Sequence, residues 1–246
     1  MTNGITNTVT NSIINNVINV TGLNAFYGDA QVLFDVNFSL SEGEVVGILG
    51  ANGAGKSTFM KSLTGLVKVA PESITLRGNA LGGIAPGDIV KQGIAMVPEG
   101  RRLFASMTVE ENLLMGAFAK RKGKWNLAEI YRLFPILQEK RNNPSTSLSG
   151  GQQQQVAIGR ALMSNPDILL CDEISLGLAP IVIREIYDAL PSIIADGMTV
   201  VVVEQDVMLA RECAQRLYCF QEGRVALEGR SDTLTRDQIT EAYFGI

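Results

Sequence analysis

The chain has 246 residues, 46% of them apolar, and a net charge of −4 from 21 basic and 25 acidic side chains. That length suits one large domain with room for a sizeable core, and the acidic balance offers no basic field for nucleic acid. Histidine is absent, so any general base must be a carboxylate and no histidine-ligated metal site can exist. Residues 1–16 are rich in Thr and Asn and carry no charged side chain, which predicts a disordered or frayed extension before a single domain over 17–246. They lack the basic start and continuous apolar stretch of a secretory signal. Strand-like runs follow at 13–23, 34–40, Val45–Leu49 and Ile74–Leu76, with turns signalled at Gly22, Gly28, Glu42-Gly43 and Arg77-Gly78-Asn79.

The run Val45–Leu49 leads directly into Gly50-Ala51-Asn52-Gly53-Ala54-Gly55-Lys56-Ser57-Thr58, a complete G-x-x-x-x-G-K-[ST] loop ahead of a helix start. Glycines let the backbone wrap a polyphosphate, and amides at a helix N-terminus favour an anion. Gly50, Asn52, Gly53, Ala54, Gly55, Lys56, Ser57 and Thr58 are therefore the expected nucleoside-triphosphate cradle. Within it Lys56 reaches the terminal phosphates and Ser57 ligates Mg²⁺.

After Val97-Pro98 the pattern turns helical. Thr108-Val109-Glu110-Glu111 is a capping box opening a helix to about Arg121, and residues 127–139 read as another. Residues 99–147 thus form a helical insertion. Apolar strands return at 168–171 and 198–203, with helical segments at 156–163, 181–190 and 208–216, an alternation that predicts a parallel α/β sheet. The run at 168–171 ends in Asp172-Glu173, where Asp172 suits a Mg²⁺ ligand and Glu173 a general base for an attacking water. Leu148-Ser149-Gly150-Gly151-Gln152 opens a helix with a serine cap and two glycines, a second anion-binding end. Cys171, Cys213 and Cys219 lack metal-ligand spacing and read as reduced core thiols. No apolar run approaches the ~18–20 residues needed to cross a bilayer.

P-loop, Leu148–Gln152 and the Asp-Glu strand end together resemble the ATP-binding subunits of ABC transporters, over about residues 17–246. The resemblance implies a P-loop NTPase core with a parallel sheet, an N-terminal antiparallel β subdomain and an inserted helical subdomain. It implies a head-to-tail dimer in which Ser149, Gly150, Gly151 and Gln152 of one subunit cover ATP bound by the P-loop of the other. It makes Tyr27 the aromatic stacked on adenine, with Phe26 the alternative. Three departures narrow the match: Glu99 stands where the family has Gln, Gln205 where it has His, and Ala179 where it has Asp. Ile174 also replaces a usual proline.

This set is similar to the LivF-type subunit of branched-chain amino-acid importers. A related urea-importer subunit keeps Gln at the Glu99 position, so Glu99 favours amino acids. The resemblance implies a peripheral subunit on the cytoplasmic face of the cell membrane. Its expected partners are a second, histidine-bearing ATPase, or alternatively a second copy of this chain, two integral-membrane permeases and, indirectly, an extracytoplasmic solute-binding protein. Glu99 would follow the nucleotide through Mg²⁺ or its water, and Arg101, Arg102 and Phe104 would pass that motion to the permease. Gln205 would take the place of the histidine beside the γ-phosphate without supplying a positive charge. Soluble ABC ATPases of DNA repair or translation, and a regulatory module without turnover, are the competing classes. The former usually add coiled coils, zinc modules or a basic surface, none of which appears. Intact Lys56, Ser57, Asp172 and Glu173 argue against the latter.

Overall fold

The computed structural model describes residues 16–195 and 197–244. In chain order the elements are β1 Asn16–Tyr27, β2 Ala30–Ser41, β3 Val45–Leu49, α1 Lys56–Leu63, β4 Ile74–Leu76, β5 Asn79–Ala80, α2 Pro86–Lys91 and β6 Ile94–Val97. Then come α3 Val109–Met115, α4 Leu127–Leu133, α5 Pro135–Glu139, α6 Gly150–Leu162, β7 Ile168–Asp172, α7 Pro180–Ile194 and β8 Thr199–Val203. The chain closes with α8 Val207–Cys213, β9 Arg216–Gln221, β10 Arg224–Arg230 and α9 Arg236–Phe244.

Two sheets result. A four-stranded antiparallel sheet runs β2-β1-β4-β5, and a six-stranded sheet runs β10-β9-β3-β8-β7-β6. In the larger one β9, β3, β8, β7 and β6 are mutually parallel and only β10 is antiparallel, at the edge. Strands β3, β7 and β8 are buried along their whole length, as expected of a parallel sheet covered on both faces. Their alternating side chains divide the core. Val45, Leu49, Leu169, Cys171, Val200 and Val202 pack with α6 and α7. Val46, Ile48, Leu170, Val201 and Val203 pack with Phe59 and Met60 of α1 and with the antiparallel sheet. The predicted α/β core and antiparallel sheet are thus both present.

The structure corrects several expected boundaries. The extension expected over 1–16 lies outside the described residues except for Asn16, which opens β1. The helix expected to reach Arg121 stops at Met115; a 3-10 turn over Gly116–Ala119 follows and Lys120 ends it at φ 52. The helix expected over 127–139 is two, because Phe134 before Pro135 is forced to φ −131, ψ 80. The helix expected over 208–216 ends at Cys213, and Arg216 instead starts β9, paired with Val46 of β3. Strand β10 was not anticipated: it joins β9 through Glu222-Gly223, both at positive φ, a tight hairpin turn.

Between β6 and β7 the chain runs through α3–α6, with a lone antiparallel bridge between Thr108 and Pro144 at its base. Close contact fixes this excursion to α6. A Cβ on Gly116 would stand 1.9 Å from the Arg160 carbonyl oxygen. Gly116→Ala is therefore expected to destabilise the protein by about 1–3 kcal/mol through overpacking. Urea unfolding checks this, and an unchanged midpoint would refute so tight an approach.

Candidate functional site

Because β3, β6, β7 and β8 are parallel, their carboxyl ends meet at one edge, where such sheets place ligand crevices. Each strand delivers one part of the site there. The loop Gly50–Gly55 leaves β3, Glu99 follows β6, Asp172-Glu173 end β7 and Gln205 follows β8. A cleft of about 330 Å³ is lined by Asn52, Gly53, Gly55, Lys56, Ser57 and Thr58 together with Glu99, Glu173 and Gln205. Val32 of β2 and Leu176 complete the wall; neither carried a sequence signal, since both are ordinary apolar residues brought in by folding.

The loop conformation needs its glycines. Gly50, Gly53 and Gly55 have φ of 152, 83 and 101, values that L side chains rarely adopt. A Cβ on Gly50 would lie 2.4 Å from the Phe220 carbonyl oxygen, whereas one on Gly53 would meet nothing within 4 Å. Gly53 therefore borders open space. Gly55 caps α1 without a side chain, so no side-chain acceptor occupies the first-turn amides.

Lys56 is 4% exposed. Its Nζ donates to the Gly50 carbonyl at 2.7 Å and the Ala51 carbonyl at 3.1 Å, and pairs with Glu173 Oε1 at 3.3 Å. The other Glu173 oxygen accepts from Gln205 Nε2 at 2.6 Å, and the same Gln205 nitrogen donates to Asn52 Oδ1 at 3.0 Å. Lysine, carboxylate and amide therefore satisfy one another across the cleft. Glu173 itself sits at φ 49, a left-handed conformation uncommon for a non-glycine residue.

Asp172 lies deeper, 3% exposed, and accepts a hydrogen bond from Ser57 Oγ at 3.4 Å. Burial pushes its carboxyl up to about 6, with the charges of Glu173 and Glu99 adding to the rise. Ser57 and Asp172 are hard oxygen donors of the kind Mg²⁺ takes. Among the described residues no group of three or more Cys, Asp or Glu could hold a metal alone.

The remaining expected site residues stand elsewhere. Ser149, Gly150, Gly151 and Gln152 do not line this cleft. Ser149 caps α6 and Gln152 returns the hydrogen bond to its amide in a reciprocal box. Tyr27 and Phe26, each 49% exposed, stand at the end of β1 outside the lining. Arg101 and Arg102 are both left-handed, and their carbonyls accept from Arg160 of α6. Phe104 borders a second, more apolar groove of about 340 Å³ with Met115, Phe118 and Arg160. A larger cavity of about 610 Å³, lined in part by Arg77, Trp125 and Asp167 near the start of β7, has no phosphate cradle. The candidate site is therefore the cleft at the carboxyl edge.

Comparison with known proteins identifies the family and the fold. The sequence profile of the ABC transporter family matches residues 33–175. The high-affinity branched-chain amino acid transport ATP-binding protein BraG of Pseudomonas aeruginosa is 42% identical over 91% of this chain and 97% of its own length. The probable branched-chain amino acid transport ATP-binding protein LivF of Archaeoglobus fulgidus is 34% identical over 86% of this chain and 91% of its own. Among solved structures, a nucleotide-free ATP-binding cassette from an ABC transporter superposes with a TM-score of 0.79 at 27% identity, covering 94% of this chain and all of that one. With the P-loop, the Asp-Glu strand end and the acidic cleft in one place, the chain belongs to the ABC transporter family, as one of its ATP-binding ATPase components.

Proposed function

We propose that this chain is the ATP-hydrolysing subunit of an importer for branched-chain amino acids, working at the cytoplasmic face of the cell membrane. The observation that carries the solute assignment is its 42% identity, over nearly the whole of both chains, to a branched-chain amino acid transport protein. Glu99 and Gln205, the departures that narrowed the family, both face the cleft. Among the described residues no helix is long and apolar enough to cross a membrane, and in this reading partner permeases supply the membrane path. The exposed groove beside Phe104, Met115 and Phe118 has the apolar character such a contact needs.

The residues divide the work as follows. Lys56 exchanges Glu173 for the terminal phosphates when ATP enters, and the freed Glu173 accepts the proton of the attacking water. Ser57 and Asp172, with Glu99 facing the same space, would hold Mg²⁺, which neutralises phosphate charge when bound with the nucleotide. Tyr27, exposed at the end of β1, is free to stack on adenine. Ser149–Gln152 lie away from their own cleft, which supports a head-to-tail dimer in which they complete the partner's site. Gln205 brings hydrogen bonds but no positive charge to the developing anion, so its site turns over more slowly than one bearing histidine.

Co-purification from the native membrane in mild detergent, with subunits identified by mass spectrometry, tests this reading. Two polytopic permeases and a second, histidine-bearing ATPase are expected, with unequal turnover at the two composite sites. Recovery of the chain alone, or with ribosomal or DNA-repair proteins, would overturn the importer. Equal turnover at both sites would remove the role given to Gln205.

A further inference from the structure

Strand β8 is an apolar run closed by an acid: Val200, Val201, Val202 and Val203 are all buried, and Glu204 after them is 1% exposed. Burying a carboxyl is costly unless a partner compensates. Among the described residues Glu204 has no ion pair. It is met instead by the hydroxyls of Ser175 and Tyr187 and by the backbone amides of Ser175 and Gln205. Ser175 Oγ donates to Oε2 at 2.5 Å and Tyr187 OH donates to Oε1 at 2.5 Å. Nothing in the hydrolytic scheme uses this group.

Its position gives it a use. Gln205 is the next residue along the chain, and Ser175 lies two residues beyond Glu173. Strands β7 and β8 run side by side with Asp172 opposite Val203, and the Glu173 amide donates to the Val203 carbonyl at 3.0 Å. Tyr187 belongs to α7, the helix that begins directly after the segment 173–179. One carboxyl thus ties together the backbone carrying Gln205, the segment carrying Glu173 and the helix behind both. Glu173 needs such support, because its left-handed backbone persists only where surrounding contacts over-determine it.

We propose that Glu204 is a positioning residue of the ATPase site, holding Glu173 and Gln205 in register through its hydrogen bonds to Ser175 and Tyr187. The role assigned to Glu173 and Gln205 rests on the functional reading above. Glu204 touches neither nucleotide nor water. It acts through the geometry of the pair.

Glu204→Leu, which fills the space without accepting a hydrogen bond, and the milder Tyr187→Phe separate positioning from packing. In the nucleotide-free full-length chain, both variants are expected to speed amide hydrogen exchange across 173–179 by about tenfold or more relative to the rest of the core. In the hydrolysing protein, kcat is expected to fall about tenfold or more while ATP affinity at the P-loop stays within about twofold. Adding Gln205→Ala to either variant is expected to cost less than it does alone, because both changes break one unit. Unchanged exchange across 173–179, or full additivity with Gln205→Ala, would show that Glu204 only fills space and would overturn the proposal. If Glu204→Leu fails to fold, Tyr187→Phe decides by the same readouts. A wild-type chain that bound no ATP would sink the functional reading, and the exchange measurement would still decide the role of Glu204.

Discussion

Glu173→Gln is expected to lower kcat by about 10²–10⁴-fold, the usual contribution of a positioned general base, while leaving ATP bound. The glutamine is nearly isosteric and can still meet Gln205, 2.6 Å away, through its own amide. What disappears is the proton acceptor and the negative charge 3.3 Å from Lys56. In the resting site that charge competes with the terminal phosphates for the lysine. Its removal frees Lys56, so affinity for ATP should rise as turnover falls. The proposed dimer would then accumulate in its ATP-bound form. Phosphate-release kinetics, isothermal titration and gel filtration with ATP measure the three effects. A variant that hydrolyses at the wild-type rate would remove Glu173 from the role of base, and one that binds ATP more weakly would refute the competition for Lys56.

Lys56→Ala has the opposite signature. It removes the charge facing the phosphates, and truncating one partner of a buried charge pair commonly costs 2–5 kcal/mol or more. ATP affinity is expected to fall by about 100-fold, a change of about 2.7 kcal/mol. Stability should also drop, because Glu173 is only 8% exposed and loses its counter-charge. The cleft lets water reach that carboxylate and Gln205 still donates to it, so a loss of about 1–3 kcal/mol is more realistic than the full cost of an orphaned buried ion. The double variant Lys56→Ala/Glu173→Gln separates the effects: stability should return and ATP binding should not. Calorimetry and nucleotide titration read the two quantities independently. Failure of the second substitution to restore stability would mean that the ion pair is not what Lys56 contributes to the resting fold.

Local chemistry was legible along the chain wherever it depends on neighbouring residues. The P-loop pattern is written in the closely spaced Gly50, Gly53 and Gly55 because each positive φ is a local requirement. The box of Thr108 with Glu111 and the serine cap at Ser149 could be read from neighbouring residues and are both present; the return bond from Gln152 was an addition. The buried β3, β7 and β8 announced themselves as short continuous apolar runs. Pro135, a local signal, split the helix expected over 127–139, whereas long-range competition decided another case. Arg216 left a helical reading because β9 pairs with β3, more than half the chain away.

Convergence was decided by tertiary structure alone. Residues 56, 99, 173 and 205 share a cleft because the strand order β3-β8-β7-β6 brings four carboxyl ends to one edge, and no periodicity encodes that order. The same order keeps Ser149–Gln152 out of the lining of this chain's own cleft, and it gives Glu204 the Ser175 and Tyr187 hydroxyls from the β7–α7 segment, which its own neighbours could not reveal. Sequence by itself determined the phosphate-loop pattern, the helix-start caps and the buried strands β3, β7 and β8, since these are short-range solutions to hydrogen bonding and burial. Which charges face each other depended on packing those elements around a common core.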